Sequence, residues 1–319
     1  MVNIDIRPFV GNERCYNIEV LACKIAEHKH ESIVLDFKEE SRDIAATGLE
    51  TAVQNICDSL RIPYEQVEFR SCDRLLNGTV FAHKLNEHLL WFYPCMTWSN
   101  ARIDIPRHFK YGMFLGRPCN ERLYSFHKHW TWPYKNLGLA SQHLNLEIEN
   151  ESSSDYTGFI CEHHDKWQQI RTVLPYSDLN DNYTYKDMSG AVDSVWQEYY
   201  KDFAVEIVLE TMHTEKMFFL SEKTFRPINH GRLFLIIGSP QVEKNLQSLG
   251  FDIFEDIIDK SYDNLSSYMR VDAVFRSLAQ LLENPVDFEK ILPRLEKNRL
   301  LVEQMKQHDP ALDKDYVDE

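Results

Sequence analysis

Two apolar runs in the second half of the chain have the pattern of buried β-strands, and a polar segment separates them. Residues 203–210 alternate Phe, Val, Ile and Leu with smaller or charged residues, and residues 233–238 form a short continuous apolar block. Both patterns are typical of strands. Between them, residues 221–227 (SEKTFRP) have the composition of a helix start. Strand, helix, strand is the βαβ pattern of a parallel sheet.

The first third of the chain also alternates strand-like and helix-like segments. Strands are predicted for residues 2–6, 33–37, 67–70 and 88–93, and helices for residues 18–27 and 49–60. Further helices are predicted for residues 123–129, 241–249, 265–282 and 288–305, with Pro293 expected to kink or delay the last one. Gly250 is the residue expected to end the helix before it in a left-handed conformation. The whole pattern predicts an α/β protein.

The length of the chain and the positions of a proline and a glycine indicate more than one domain. A chain of 319 residues exceeds the usual size of a single domain, and its 43% apolar content is enough for two cores. Pro106 interrupts any continuing element, and a new apolar segment opens near Gly112. We therefore predict an N-terminal domain over residues 1–106, a second domain over residues 107–285, and a C-terminal helix and tail over residues 286–319. Each of the two domains is expected to be Rossmann-like.

Net charge and cysteine content indicate which partners and which cellular compartment to expect. The formal net charge of -15 disfavours a tight, sequence-independent grip on nucleic acid, although a local basic patch can override a global balance. The seven cysteines are scattered without a C-x-x-C pair, which is typical of reduced thiols in a cytoplasmic protein. No signal peptide and no membrane-spanning run are recognisable, so we expect a soluble cytoplasmic protein without a membrane partner.

The helix start at residues 221–227 is the best candidate for chemistry. Ser221 is a suitable N-cap, although Pro227, comfortable only in a first turn, moves the expected start toward Thr224. Unpaired helix N–H groups and the helix dipole favour an anion there. Lys223 adds a compact charge, and Arg226, about one turn later, adds a planar fork that can bind two oxygens. The plain alternative is a capped surface helix with solvated charges.

Several motifs together resemble the donor domain of fucosyltransferase-like glycosyltransferases of the GT-B fold. They are the strand-end acid Glu210, the helix start Glu222-Lys223, and Arg122, with Arg117 as second choice, after the segment of residues 111–116. Residues 244–263 look closer still to glycosyltransferase-like proteins of bacteriophages and other large viruses. The resemblance covers residues 108–285, and it departs at residues 209–211 (LET), where fucosyltransferases have Phe-Glu-Asn.

The resemblance implies two Rossmann-like domains facing a cleft and a nucleoside diphosphate sugar as co-substrate. Because the cations of the site could replace a metal, we expect no metal and no other cofactor. The residues then expected to bind the donor are Arg117, Arg122, Glu210, Glu222, Lys223 and Arg226. Glu210 is expected to face hydroxyls of the donor sugar or ribose.

If the anomeric centre is inverted, a carboxylate of the first domain takes the acceptor proton, and the candidates are Asp36, Glu39 and Glu40. The acceptor is expected to be a glycan or another small hydroxyl compound. Two alternatives stay open. One is glycosylation of a hydroxylated base in viral DNA, and the other is a nucleotide-sugar or glycan-binding module without turnover.

Overall fold

The computed structural model describes residues 1–6, 17–36, 48–71, 82–85, 103–116, 118–142, 154–178, 199–210 and 220–307. The chain is α/β, and it divides into two compact units. Unit 1 contains Met1–Phe92 with two short later segments, and unit 2 contains Tyr93–His213 and Leu220–His308. The described residues 103–106, which the sequence placed at the end of the first domain, therefore belong to unit 2, and so does the helix after residue 286.

Unit 1 is a parallel sheet with helical crossovers. Its elements are β1 (Val2–Asp5), α1 (Ile18–Glu27), β2 (Ile33–Asp36), α2 (Leu49–Leu60), β3 (Val67–Ser71) and β4 (Ala82–Leu85). Both helices begin and end at the predicted residues. The strand predicted for residues 88–93 lies outside the described residues, and β4 was not predicted. The strands are parallel in the order β1-β2-β3-β4.

Strand order explains where the core of unit 1 lies. Because the order follows the chain without reversal, right-handed crossovers put the connecting helices on the same face. The helices α1 and α2 contact each other, and their apolar positions Leu21 and Val53 are fully buried in one cluster with Ile4, Leu35 and Phe69. The alternate positions of β1 and β3 carry polar residues, as expected from the period of two in a strand, whereas β2 has the buried Val34 at one of them.

Unit 2 contains a second sheet with a longer set of elements. They are β5 (Tyr111–Leu115), α3 (Asn120–Thr131), β6 (Gly138–Gln142), α4 (Ser154–Glu162), α5 (His164–Ile170), β7 (Tyr176–Ser177), β8 (Val205–Leu209), α6 (Glu222–Asn229), β9 (Leu233–Ile237), α7 (Val242–Ser248), α8 (Ser267–Glu283) and α9 (Phe288–Gln307). The helix α9 runs continuously through Pro293, and Gly250, with φ 96°, follows α7 in the predicted left-handed conformation.

The predicted βαβ unit of residues 203–238 is confirmed. β8 pairs in parallel with β9, Val205 opposite Leu233, and α6 connects them. The sheet order is β7-β6-β5-β8-β9, and only β7 among the described strands of this sheet runs antiparallel to its neighbour.

The order of this second sheet reverses at β5. From β5 the chain goes to β6 on one side, and β8 and β9 lie on the other side. Right-handed crossovers then place α3, which follows β5, and α6, which follows β8, on opposite faces. Consistently, α3 packs against α8, whereas α6 packs against α9. The crevice between the carboxyl ends of β5 and β8 is therefore a topological switch point, the place where open α/β sheets bind ligands.

Side chains close the edge of this sheet at β9. The Ile236 N–H donates to Glu243 Oε1 at 2.9 Å, and Lys260 Nζ donates to the Phe234 carbonyl at 3.0 Å. Lys260 Nζ and Glu243 Oε2 are 2.5 Å apart, and the Tyr262 hydroxyl donates to Glu243. Burial raises the pKa of Glu243 and lowers that of Lys260. The pair therefore serves the backbone of a strand edge that would otherwise lack partners.

A buried arginine connects the first described segment of unit 2 to later parts of the chain. Arg232 is 1% exposed and donates to the backbone carbonyls of Tyr200 and Asp104, both at 2.7 Å, and of His230 at 2.9 Å. Burial lowers the pKa of Arg232 to about 10. Backbone oxygens in three different segments thus share one guanidinium.

Candidate functional site

The helix α6 begins at the carboxyl end of β8, and Ser221 caps it. Ser221 has extended backbone angles, and its Oγ accepts from the Lys223 N–H at 3.2 Å. This is the arrangement expected of a serine N-cap, so the prediction of Ser221 as the cap is confirmed and the later start at Thr224 is not observed. Pro227 lies inside the helix.

Glu210 joins the end of β8 to this cap. Its carboxylate is fully buried and accepts from the Ser221 N–H at 3.0 Å, from Ser221 Oγ at 2.6 Å and from Thr224 Oγ1 at 2.5 Å. A Cβ atom at Gly238, the residue after β9, would lie 3.3 Å from the Glu210 Cβ, so a small residue suits this close approach. The predicted contact of Glu210 with donor hydroxyls stays a prediction. Glu210 holds the helix start in position.

Arg122 reaches the same junction from the other side of the switch point. It lies in the first turn of α3 and is 6% exposed. Its Nη2 lies 3.4 Å from the Leu209 carbonyl and 3.3 Å from the Glu210 carbonyl. A buried positive charge therefore lies next to the backbone at the end of β8.

Lys223 and Glu222 are the more accessible charges of the junction. Lys223 Nζ is 2.8 Å from Glu222 Oε1 and 3.4 Å from Ser221 Oγ. Their side chains are 24% and 35% exposed, respectively. Burial by itself would raise the pKa of Glu222, but the charges of Lys223 and Arg226 outweigh it and hold this pKa below its usual value. Glu222 is therefore ionised at neutral pH.

Arg226 points to a different set of partners. Its Nη2 is 3.1 Å from Glu206 Oε1 on β8, and its Nε donates to the Tyr200 hydroxyl at 3.0 Å. Tyr200 also donates to Glu206 and stacks on His230 with ring centroids 4.1 Å apart. Burial raises the pKa of Glu206. The Arg226 guanidinium thus binds the buried carboxylate of Glu206, and its predicted contact with a diphosphate stays a prediction.

The structure brings together part of the predicted site. Arg122, Glu210, Glu222 and Lys223 meet at the β8–α6 junction, and Arg226 lies one turn further along the helix. Arg117, Glu39 and Glu40 lie outside the described residues.

The predicted base Asp36 lies at the carboxyl end of β2 in unit 1. It is 4% exposed and accepts from Asn3 Nδ2 at 3.2 Å. Its neighbours in the ladder are Asp5 on β1 and Arg70 on β3. A strand-end carboxylate is thus present in unit 1, on the face away from Leu35 and the core.

The sequence reading missed two residues that build this site. Thr224 completes the set of donors around Glu210, and Glu206 holds Arg226. A charged residue in the middle of a buried strand is uncommon, so Glu206 was a signal for a buried cation nearby. Thr224 had no such signal, because its partner lies fourteen positions earlier in the chain.

No family model, curated protein or solved structure matches this chain. Among the residues that the structure describes, none of the helices combines the length and apolar character needed to cross a bilayer. In the same ranges, no group of three or more His, Cys, Asp or Glu side chains is arranged to hold a metal ion. The four cysteines there, Cys23, Cys57, Cys119 and Cys161, are free thiols.

The β8–α6 junction has the properties of an anion site. A helix of eight residues starts there with its dipole directed at the crevice, and one accessible ammonium and one buried guanidinium lie close by. Because water is partly excluded, each charge acts more strongly than it would on an open surface. Chemically, such a junction can bind a phosphate group and stabilise negative charge that develops on it.

Proposed function

We propose that the protein is a glycosyltransferase that moves a sugar from a nucleoside diphosphate sugar to a hydroxyl group. The observation that carries this proposal is that Arg122 and Lys223 both lie at the β8–α6 junction. Arg122 contacts the Glu210 carbonyl, and Lys223 contacts Ser221, which the Glu210 carboxylate holds. This junction lies at the switch point, where ligands bind in open α/β sheets. The motif resemblance to GT-B glycosyltransferases supports the same reaction.

The reaction explains why cations are needed at this point. Transfer passes through an oxocarbenium-like state while negative charge builds on the departing diphosphate. Groups that are already oriented toward that charge stabilise the transition state more than the ground state. We assign direct contact with the diphosphate to Lys223, whose ammonium is accessible. We assign to Arg122 the positive charge beneath it and the positioning of the strand end.

We further propose a GT-B arrangement, in which unit 2 binds the donor and unit 1 receives the acceptor. Asp36 is then the candidate base for the acceptor hydroxyl, because it is a carboxylate at the carboxyl end of a parallel strand of unit 1, where Asp5 of β1 lies opposite it. Its replacement by Asn should lower kcat for transfer while leaving the affinity for the donor unchanged. A weaker affinity for the donor with unchanged kcat would remove Asp36 from this role.

Thermal shift measurements with a panel of nucleotides test the donor. UDP, GDP, CDP and dTDP, each with and without a sugar, are added to the wild-type protein. A ligand that binds only the folded state raises the apparent melting temperature, so one nucleotide family should stabilise the protein at concentrations above its Kd. If none of these compounds shifts the transition, the proposed function is wrong.

Lys223→Ala tests the assigned contact. A hydrogen bond to a charged group contributes about 1.5–3 kcal/mol, so affinity for the nucleoside diphosphate should fall about 10- to 100-fold, and transfer should be lost. Lys290→Ala is the matched control, because Lys290 also lies near a helix start and pairs with a nearby acid, Asp287, yet its side chain is 82% exposed. Wild-type activity in Lys223→Ala would refute the assignment.

Two further measurements distinguish the remaining classes of function. Slow hydrolysis of the donor in the absence of acceptor indicates catalysis, whereas nucleotide binding without any hydrolysis or transfer indicates a binding module. A gel shift with duplex DNA at moderate salt, followed by transfer to hydroxylated bases, tests whether DNA is the acceptor. The salt must be stated, because phosphate contacts weaken steeply as it rises.

A further inference from the structure

Among the residues that the structure describes, three carboxylates lie close to the cations of the candidate site, and one of them differs from the others in exposure. Glu206 and Glu210 are 1% and 0% exposed. Glu206 is held by Arg226 and Tyr200, and Glu210 by Ser221 and Thr224. The Glu222 side chain is instead 35% exposed and meets the ammonium of Lys223 at 2.8 Å. It is therefore the carboxylate that a ligand of Lys223 would encounter.

Among the site residues that the structure describes, the formal charges cancel. The positive residues are Arg122, Lys223 and Arg226, and the negative ones are Glu206, Glu210 and Glu222. An anion at the helix start is thus bound by oriented donors and the helix dipole rather than by a surplus of positive charge. Each additional negative charge on the ligand meets Glu222 without a further cation among these residues to offset it.

We propose that Glu222 is a specificity-determining residue that makes the site favour a nucleoside diphosphate sugar over the bare nucleoside diphosphate left after transfer. The inference rests on the proposed function. In the transfer, the bond between the anomeric carbon and the diphosphate oxygen breaks, and a bond from that carbon to the acceptor oxygen forms. The acceptor proton leaves to a base or to water, and the diphosphate keeps the electron pair of the broken bond.

Substrate and product therefore differ in charge at the atom that faces this site. The terminal phosphate of the product ionises a second time with a pKa of about 6, so at neutral pH it carries about one more negative charge than the same phosphate in the donor. In the donor, that oxygen is esterified, and the sugar hydroxyls can donate to the Glu222 carboxylate. The product offers no such donors and adds a like charge. Glu222 then assists release of the product.

Calorimetric titration of wild type and Glu222→Gln tests this. The ligands are UDP with UDP-glucose and GDP with GDP-mannose, and the pair used is the one that the wild-type protein binds. We expect wild type to prefer the sugar conjugate about tenfold, and Glu222→Gln to bind the bare diphosphate about tenfold tighter, since one like-charge interaction is removed. Affinity for the conjugate should change less than about threefold, so the preference disappears.

Glu289→Gln is the matched control, because Glu289 is an exposed acid in the first turn of α9 and its loss changes the net charge equally. Its preference ratio should equal that of wild type. Raising the salt concentration should shrink the wild-type ratio and leave that of Glu222→Gln unchanged, because screening weakens a charge repulsion. A purely structural role of Glu222 would not produce this difference.

The outcomes separate this inference from the proposed function. If wild type binds a nucleotide pair and Glu222→Gln keeps the wild-type preference ratio, the inference is overturned and the transferase proposal stands. Equal affinity of wild type for both members of the pair also overturns the inference alone. If wild type binds neither member of these two pairs, nor CDP, dTDP or their sugar conjugates, both are overturned.

Discussion

A glutamate and a lysine form an ion pair at two places in unit 2, and the two pairs differ in what surrounds them. Lys260 and Glu243, at the edge of β9, have side-chain exposures of 10% and 0% and bind backbone groups of the strand. Lys223 and Glu222, at the start of α6, have exposures of 24% and 35%. The same pair of residue types thus closes a sheet edge in one place and leaves an ammonium accessible in the other.

The difference teaches which charges to assign to function. A buried charge is stable only with fixed partners, so each of its partners is structural and removal of one leaves the other uncompensated. A partly exposed ion pair contributes little to stability, because water already solvates both ions. We therefore assign a structural role to Lys260, and we infer that Lys223 can bind a ligand. Arg226, bound to Glu206, belongs with the first class.

The largest effect is expected from Lys260→Met. The variant leaves the Glu243 carboxylate buried without its cation, which should lower the free energy of unfolding by about 3–5 kcal/mol. Denaturation in urea measures the change. Adding Glu243→Gln, which keeps an oxygen for the Ile236 N–H, should restore part of the loss. If Lys260→Met is as stable as wild type, the contrast between the two pairs fails.

A smaller loss of stability is expected from Ser221→Ala. The variant removes the cap of α6 and one donor to the buried Glu210 carboxylate, and we expect a loss of about 1–3 kcal/mol. Chemical denaturation again provides the measurement. Ser248→Ala is the control, because its hydroxyl donates to the Asn245 carbonyl in an exposed position. A loss no greater than in that control would contradict the role of Ser221 in capping α6 and in binding the Glu210 carboxylate.

The smallest change in stability is expected from Glu222→Gln. Since the folded pKa of Glu222 lies below 4.5, its carboxylate adds stability above about pH 4.5, and this contribution disappears as the pH falls through the folded pKa. The side chain is 35% exposed, so the difference between variant and wild type should be about 0.5 kcal/mol or less at pH 7 and should vanish in acid. Thermal unfolding at pH 7 and at acidic pH measures it. A difference that grows as the pH falls would contradict the sign of this effect.

Local patterns explain which parts of the fold the sequence predicted. The apolar blocks of β8 and β9 and the serine cap between them are local signals, and all three were found where expected. The helices α1 and α2 were predicted to the residue, and their buried apolar residues recur at helical spacing. The strand β4 was missed because residues 82–85 (AHKL) lack the β-branched and aromatic residues that mark a strand.

The partners of charged residues could not be predicted in the same way. Whether Arg226 meets a ligand or Glu206 depends on a strand-to-helix contact twenty positions apart, and no local pattern contains it. The burial of Glu210 likewise follows from the close approach of β9 at Gly238. Sequence spacing predicted that several charged residues lie at one end of the sheet, and tertiary packing determines which of them remain accessible.

The backbone carbonyls that bind the buried Arg232 guanidinium have a practical consequence for expressing unit 2 by itself. One of these oxygens comes from Asp104, far upstream of the strand that Arg232 precedes. A fragment intended to carry unit 2 alone must therefore begin before Asp104. A fragment starting at the first strand of the sheet would lose this ligand of the guanidinium and would be expected to precipitate or to misfold on expression.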